Sequence, residues 1–176
     1  MWFHRGVFNK NGGLRNYASG IVEAGRLLSH RGVDDDGSYF DDHAGFYFRR
    51  LSIIDLSDRG HQPFISDDGA LVLVYNGEIY NYKELRTMLE GKGYRFVSNS
   101  DTEVLMKAYQ EFGDDSVNYF RGMFAFAIWN KKLMELSLFR DRFGIKPLYV
   151  YNRKNQVVIA SEIKSILHFA PESKVI

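Results

Sequence analysis

An uninterrupted apolar stretch near the centre of the chain runs from Ala70 to Tyr75. A continuous β-branched and apolar run is the pattern of a strand that is buried on both faces. Asn76 and Gly77 follow it, so the pattern predicts that this pair lies in a polar turn at the exposed end of a central strand. Asn-Gly is also a favoured β-hairpin turn, and the dipeptide by itself leaves that plain structural interpretation open.

Apolar residues recur with helical spacing in four segments, which predict four helices. Two of these segments, residues 81–91 and 100–113, begin with the spacing of a capping box and end at a glycine. The other two cover residues 14–28 and 161–169.

Strand-like patterns alternate with turn residues over most of the remaining chain. Predicted strands cover residues 2–8, 44–54, 94–97, 123–129, 135–140, 147–151 and 157–160, besides the central strand. Predicted turns include residues 33–37 and 58–68. Three adjacent acids at 34–36 lack the alternating ligands of a calcium loop, so a solvated turn is expected there. Hairpins with few helices predict an α+β fold, and the absence of a linker predicts a single domain over residues 1–176.

Composition narrows the possible functions. The chain has 176 residues, 45% of them apolar, and a net charge of +1 at pH 7, which gives no electrostatic footprint for nucleic acid or an anionic membrane. No apolar run approaches the roughly 20 residues that cross a bilayer, so a cytoplasmic location is expected. The five histidines lack metal-ligand spacing, and no metal site is expected. The cysteine count is zero, which excludes disulfides and cysteine nucleophiles.

The segment after the central strand has a chemical interpretation as well. A side-chain amide from Asn76 and the backbone N–H of Gly77, placed together in a dry cavity, would suit an oxyanion. The longer string Asn76–Tyr82 resembles the signature of the class II glutamine amidotransferase domain, which is found at the N-terminus of glutamine-hydrolysing asparagine synthetases.

The resemblance covers nearly the whole chain, through short motifs in the same order. They are His30-Arg31-Gly32, Arg50–Asp55, Gln62-Pro63, Asn76–Asn81, Ser100–Glu103, Gly122–Ala127, Arg140–Tyr149 and Ala160–Lys164. The family fold is a four-layer αββα N-terminal nucleophile hydrolase sandwich with two antiparallel sheets, which agrees with the α+β prediction. The family reaction is hydrolysis of the glutamine side-chain amide, with ammonia passed to a synthetase domain.

The resemblance also implies roles for individual residues. Arg50 would hold the glutamine α-carboxylate through a bidentate guanidinium. Asp101, with Glu78 and Gly77 around it, would receive the α-ammonium. Asn76 and the Gly77 N–H would form the oxyanion hole. Ile53 completes the implied glutamine-binding set.

One position departs from the family pattern in a decisive way. The family nucleophile is a cysteine at position 2 whose own α-amine acts as the base, and this sequence has Trp2. As written, the chain is therefore expected to lack glutaminase activity. Val33 also stands where the family usually has proline, which affects the expected shape of that loop.

Two interpretations of residues 2–5 stay open. Met1–Arg5 back-translated as ATG TGG TTT CAT AGG and read from the second base gives Cys-Gly-Phe-Ile-Gly, the N-terminal pattern of the family, so a local frameshift is one hypothesis. The other is genuine divergence, with the domain kept as a non-catalytic glutamine-binding or scaffold domain. Against divergence, bulky residues in a buried strand cost about 1–3 kcal/mol per overpacked site.

The resemblance implies glutamine as the ligand and a synthetase domain or subunit as the partner. The chain lacks an ATP-pyrophosphatase motif such as SGGxDS. Cofactors are therefore not expected in this domain, and ATP and Mg²⁺ would belong to a synthetase domain outside it.

Overall fold

The computed structural model describes residues 3–26, 35–50 and 61–169. Trp2 and Ile53 lie outside the described residues, as do the His30-Arg31-Gly32 motif and the chain at 51–60. For Arg50 the description covers the backbone.

Strands and helices appear in an order typical of an α+β chain. The strands are β1 (Phe3–Asn9), β2 (Asp35–Phe40), β3 (Ala44–Arg50), β4 (Phe64–Ile65), β5 (Leu71–Ile79), β6 (Gly122–Asn130), β7 (Glu135–Arg140), β8 (Tyr149–Arg153) and β9 (Gln156–Ala160). The helices are α1 (Ala18–Arg26), α2 (Tyr82–Gly91), α3 (Asp101–Phe112) and α4 (Ile163–Phe169), with 3₁₀ turns at Leu14–Tyr17 and Gly113–Asn118.

The described strands form two antiparallel sheets. The first has the order β2-β3-β1-β9-β8, and the second has the order β4-β5-β6-β7. Apolar side chains of both sheets, including Phe46, Val74 and Trp129, pack against one another between them. The faces turned outward are covered by helices, with α2 and α3 on the second sheet and α1 and α4 on the first. The fold is the four-layer sandwich with two antiparallel sheets that the resemblance implied.

The central strand is longer than its apolar run. Asn76 and Gly77 do not form a turn, because β5 continues to Ile79 in register with β6 as far as Gly122. The predicted position of the pair at an exposed strand end was therefore wrong. Pairing with a neighbouring strand, which is remote in sequence, overrides the local turn preference of Asn-Gly.

Two local predictions around the helices were wrong in detail. Residues 94–97 are not a strand, because the Glu103 carboxylate accepts the N–H groups of Val97 and Ser98 that a neighbouring strand would otherwise take. The Glu103 side chain therefore binds the backbone of residues 97 and 98. Ser100 caps α3 by accepting the Thr102 N–H over 3.1 Å. Asn81 precedes α2 as predicted, yet its side chain binds the backbone of Tyr119 and Arg121.

The described part of the predicted turn at 33–37 is also different. Asp35–Phe40 form β2, the edge strand of the first sheet, paired with β3. An edge strand forms backbone hydrogen bonds with a neighbouring strand on one side only, and its other side faces water. Polar residues are therefore common in such a strand, and its composition resembles that of a turn. In the part of the chain that the structure describes, no helix is long and apolar enough to span a membrane.

Candidate functional site

The backbone N–H and C=O groups of successive β5 residues point alternately toward β6 and toward the β4 side of the strand. Both backbone groups of Phe124 bind Asp141 on the β7 side: the Phe124 carbonyl accepts the Asp141 N–H over 2.8 Å, and the Phe124 N–H donates to the side-chain Oδ2 of Asp141 over 3.2 Å. Gly77 lies opposite Phe124 in the register. In an antiparallel pair, a residue whose backbone bonds point to one neighbour leaves the other side as a non-hydrogen-bonded pair. The N–H of Gly77 therefore points away from β6, toward the β4 side of β5.

Along that edge, side chains form hydrogen bonds with the backbone of Tyr75 and Ile79, the residues two positions before and after Gly77. Gln62 binds the backbone of Tyr75, accepting its N–H over 2.7 Å and donating to its carbonyl over 3.2 Å. Two residues beyond Gly77, Asp101 Oδ2 accepts the N–H of Ile79 over 3.1 Å. Alternate residues of a strand lie about 6.8 Å apart, so the Gly77 N–H is placed between an amide and a carboxylate.

Asp101 is the first residue of α3 and is 5% exposed. Its Oδ2 accepts a second hydrogen bond from the Tyr75 hydroxyl over 2.8 Å. Burial raises the pKa of the Asp101 carboxyl above its ordinary value, and the hydrogen bonds from Ile79 and Tyr75 oppose that rise. Burial, followed by the Asp101 charge, raises the pKa of Tyr75 well above 10.0, so the phenol keeps its proton and donates a hydrogen bond to Asp101.

Asn76 and Glu78 are placed on the other face of the strand. Tyr75 and Ile79 pack on the helix side, whereas Val74 packs between the sheets. Because successive strand residues alternate in direction, Asn76 and Glu78 share the inter-sheet side with Val74. Asn76 is almost fully buried and Glu78 is partly buried.

A buried lysine adds charge beside Glu78. Lys146 is 7% exposed, and burial lowers the pKa of its amine. The carboxylates of Glu78 and Asp141 act on the amine in the opposite direction. Among the described residues, the groups around the end of β5 therefore include the Lys146 amine and the carboxylates of Glu78, Asp101 and Asp141.

Gly77 has no room for a side chain. A Cβ there would lie 2.7 Å from the Cα of Phe124 and 2.8 Å from Cε2 of Tyr75, and it would also overlap the carbonyl oxygen of Met123. Glycine thus lets β5 and β6 approach closely at the position whose N–H points to the edge.

The two sheets bring the start of β1 to the same end of the sandwich. Phe8 packs on Trp129 with ring centroids 5.2 Å apart, and Trp129 is paired with Val72. Gly77 lies toward the far end of β5 from this contact. Phe3, the first residue of β1, lies at the far end of β1 from Phe8, in the same direction. Phe3 is paired with Arg49, so the end of β3 at Arg50 lies there too.

The structure therefore places five of the seven sequence-predicted site positions at one end of the sandwich. They are Arg50, as a backbone position, with Asn76, Gly77, Glu78 and Asp101. The other two, Trp2 and Ile53, lie outside the described residues. Two neighbours that bind the site backbone or carboxylate, Tyr75 and Gln62, were missed as functional residues. Tyr75 had only the signal of a core residue, whereas Gln62 lies in the quoted Gln62-Pro63 motif.

Within the described residues, no group of three or more histidine, cysteine, aspartate or glutamate side chains could hold a metal ion.

Solved structures share this architecture. Glutamine phosphoribosylpyrophosphate amidotransferase from Bacillus subtilis, complexed with ADP and GMP, superposes with a TM-score of 0.72 at 21% identity, over 93% of this chain and 42% of that one. An allosteric regulatory enzyme of purine biosynthesis superposes with a TM-score of 0.77 at 22% identity, over 96% of this chain and 43% of that one. At these identities the likeness establishes the fold class, the N-terminal nucleophile hydrolase sandwich.

Sequence similarity establishes the family. The model of the glutamine amidotransferase domain family matches residues 6–175, and the chain belongs to that family. Asparagine synthetase [glutamine-hydrolyzing] 1 of Bacillus subtilis is 48% identical over 164 residues, which are 92% of this chain and 26% of the relative. Amidase chry2 of Gibberella zeae is 39% identical over 164 residues, 92% of this chain and 24% of the relative. The chain thus spans about a quarter of the length of these relatives.

Proposed function

We propose that this domain binds L-glutamine at the Asn76–Asp101 end of the sandwich and that the site is built to hydrolyse the side-chain amide, releasing ammonia for a synthetase portion. The observation that carries the proposal is the edge of β5, where the Gly77 N–H points outward between Gln62 and Asp101. An N–H fixed by strand pairing needs no rearrangement to stabilise a developing negative charge.

The α-ammonium, the α-carboxylate and the side-chain amide of glutamine would each meet a complementary group in the proposed site. The carboxylates of Asp101 and Glu78 suit the α-ammonium, and the guanidinium of Arg50 suits the α-carboxylate as a planar fork. The amide oxygen would then face the Gly77 N–H and the Asn76 side chain. Those two groups would hold the negative charge of the tetrahedral intermediate.

Hydrolysis in this site needs a nucleophile at the start of β1. A cysteine thiolate at position 2 would attack the amide carbon, its α-amine would take the thiol proton and pass it to the leaving nitrogen, and ammonia would depart. Water would then hydrolyse the thioester to glutamate and regenerate the thiol. The sequence contains no cysteine and has Trp2 at this position, so the chain as written is proposed to bind glutamine without hydrolysing it.

The test compares three proteins for glutamine binding by calorimetry and for ammonia release. They are the chain as written, a variant with Trp2→Cys, Phe3→Gly, His4→Phe and Arg5→Ile, and a matched control with Trp2→Ser and the same three other changes. We expect ammonia release from the cysteine variant only, provided that Met1 is removed, and glutamine binding by all three. Release from the serine control at the same rate would contradict cysteine catalysis, and absence of glutamine binding in all three would contradict the proposed site.

The scaffold alternative rests on the same sequence fact, the missing cysteine. It differs in its expectation for the pocket. A scaffold under no demand to bind glutamine would show no heat of binding with the chain as written, even if the cysteine variant folds with the same thermal midpoint.

A further inference from the structure

A side chain continues the backbone pairing of β5 where its neighbouring strand stops. β4 has two residues, and its pairing with β5 reaches as far as Phe64 opposite Leu73. At Tyr75, the next residue of β5 whose backbone points to this side, the amide of Gln62 takes the place of a strand. Its Oε1 accepts the Tyr75 N–H over 2.7 Å, and its Nε2 donates to the Tyr75 carbonyl over 3.2 Å. The side chain therefore makes both hydrogen bonds that a paired backbone residue would make there.

The chemistry of these two bonds requires a carboxamide. A carboxamide supplies a donor and an acceptor at one planar end without carrying a charge. A carboxylate accepts only, an ammonium or guanidinium group donates only, and an aliphatic side chain does neither. Because Gln62 and Tyr75 are both fully buried, losing either bond would leave a backbone group of Tyr75 without water to replace it.

The main chain at Gln62 lies directly against the first sheet. A Cβ on Gly37 of β2 would overlap the Gln62 carbonyl oxygen and would lie 2.6 Å from Nε2 of His61. Gly37 is buried and is paired with Phe48, two residues before Arg50 on β3. Glycine thus lets the segment that contains Gln62 pack on the edge strand, at the end of the sandwich where the glutamine site is proposed.

These two contacts fix Gln62 between the sheets. Its backbone packs on Gly37 of the first sheet, and its side chain binds Tyr75 of the second. Gly77 is the next residue of β5 whose backbone points to the same side as Tyr75. A shift of the Tyr75 backbone would therefore displace the Gly77 N–H, because one residue of a paired strand separates the two.

We propose that Gln62 is a positioning residue for the glutamine site, and that its amide holds the β5 backbone so that the Gly77 N–H faces the amide oxygen of the substrate. The inference rests on the proposed function, in which that N–H stabilises the negative charge of the tetrahedral intermediate. Such a donor is effective when it is aimed in advance at the place where the charge develops. Gln62 acts through the backbone of Tyr75 and not through contact with glutamine.

This role separates hydrolysis from substrate binding. The α-ammonium and α-carboxylate of glutamine are proposed to bind groups other than the Gly77 N–H. The charge that the Gly77 N–H stabilises develops only in the transition state. Displacing this N–H should therefore lower kcat for glutamine hydrolysis while KM stays nearly constant.

The test compares the unsubstituted chain with three variants. Gln62→Met keeps the length of the side chain but has no amide, and Gly37→Ala displaces the main chain of Gln62 without changing its amide. Ser66→Ala is the matched control, because Ser66 is 4% exposed and its Oγ accepts the N–H of Leu71 over 2.9 Å. The control thus removes a buried side-chain bond to the other end of the same strand.

Each substitution is made in the chain as written and in the cysteine variant of residues 2–5 that tests the proposed function. In the written chain, ¹⁵N relaxation gives the order parameter of the Gly77 amide, calorimetry gives glutamine binding, and a thermal midpoint is recorded. In the cysteine variant, ammonia release gives kcat and KM.

We expect Gln62→Met and Gly37→Ala to lower kcat at least about tenfold with KM changed less than about twofold. The order parameter of Gly77 should fall from about 0.85, the value of rigid backbone, to below about 0.6. Ser66→Ala should lower the thermal midpoint as well, but should leave kcat and the Gly77 order parameter unchanged.

Unchanged kcat and unchanged Gly77 order in both Gln62→Met and Gly37→Ala would overturn the positioning role. So would the same losses in Ser66→Ala, or a raised KM at constant kcat, since Gln62 would then support general stability or substrate binding. If Gln62→Met does not fold, the result for Gly37→Ala decides. Absence of ammonia release from the unsubstituted cysteine variant would contradict the proposed function alone, and the Gly77 order parameter in the written chain would still support or overturn the role of Gln62.

Discussion

The Tyr75 hydroxyl donates a hydrogen bond to Asp101 Oδ2 over 2.8 Å, joining the central strand to the first residue of α3 inside the protein. The same oxygen accepts the Ile79 N–H, so one carboxylate fixes the end of β5 from two directions. This arrangement sets where Asp101 lies relative to Gly77, and the geometry of the proposed glutamine site therefore depends on a residue that has no direct part in the chemistry.

Removing that hydroxyl should cost stability. Tyr75→Phe leaves the ring in the core but deprives a buried carboxylate of a donor, and hydrogen bonds to charged groups contribute about 1.5–3 kcal/mol. We expect a loss of about that size in the free energy of unfolding, measured by urea titration. Tyr80→Phe is the control, since Tyr80 is 59% exposed, and its change should stay within about 0.5 kcal/mol. Equal effects from the two variants would show that the Tyr75 hydroxyl does not support Asp101.

Asp101 should make stability depend on pH in a defined direction. Because its pKa is raised in the folded protein, the folded state holds the proton more tightly than the unfolded chain. Its contribution is fully present below 3.8, the ordinary value, and is lost as the pH rises through the folded pKa. Asp101→Asn removes this titration while keeping an oxygen that can accept the same hydrogen bonds.

The measurement is the free energy of unfolding of the written chain and of Asp101→Asn from pH 3.5 to pH 7. We expect the difference to shift in favour of the asparagine variant as the pH rises, and glutamine binding by that variant to be lost. A difference that is constant with pH would contradict the raised pKa. Retained glutamine binding would contradict only the proposed contact with the α-ammonium.

Local signals allowed part of the fold to be predicted from the sequence. The helix at 101–112 was predicted correctly because its cap at Ser100 and its stop at Gly113 are short-range features. The extension of β5 through Asn76-Gly77 could not be predicted, because it depends on pairing with β6, more than forty positions along the chain. Residues 94–97 were predicted wrongly for a local reason, because the side chain of Glu103, only six positions further on, accepts the Val97 N–H.

In the candidate site, too, some residues were predictable from sequence motifs, whereas others depend on contacts that form only in the folded protein. Asn76, Gly77, Glu78 and Asp101 were predicted as site residues through motif resemblance, and the structure brings them to one end of the sandwich. Gln62 and Tyr75 act through contacts with the β5 backbone and with Asp101, which only the folded arrangement creates. A tyrosine at the end of an apolar run has no sequence feature that separates it from an ordinary core residue.

The loop at residues 141–146 should depend on the charge of Asp141, whose carboxylate accepts the N–H groups of Phe124, Phe143, Ile145 and Lys146. In Asp141→Asn one oxygen becomes an NH₂ group that faces two N–H donors, so two hydrogen bonds are lost and the loss of stability should be at least about 1–3 kcal/mol. The control is Asp115→Asn on the exposed 3₁₀ turn, which should change stability by less than about 0.5 kcal/mol. Because the Asp141 pKa is lowered, its contribution is present above 3.8 and is lost as the pH falls through the folded pKa. Urea titrations at pH 7 and pH 3 should therefore give a smaller Asp141→Asn effect at the lower pH, and an unchanged effect would contradict this account of the loop.

Gly77 should not tolerate even a methyl group. The Cβ of Gly77→Ala would meet the backbone of β6 at Met123 and Phe124, which cannot yield as a flexible side chain does. We expect a loss of about 1–3 kcal/mol in the free energy of unfolding, together with loss of glutamine hydrolysis in the background that carries Trp2→Cys, because displaced strands would move the N–H proposed to bind the oxyanion. Gly91→Ala is the matched control, since a Cβ at the end of α2 meets no atom within 4 Å, and alanine there should be neutral or stabilise by up to about 1 kcal/mol. If Gly77→Ala were as stable and as active as the Gly91 variant, the close approach of β5 and β6 would have no bearing on the site.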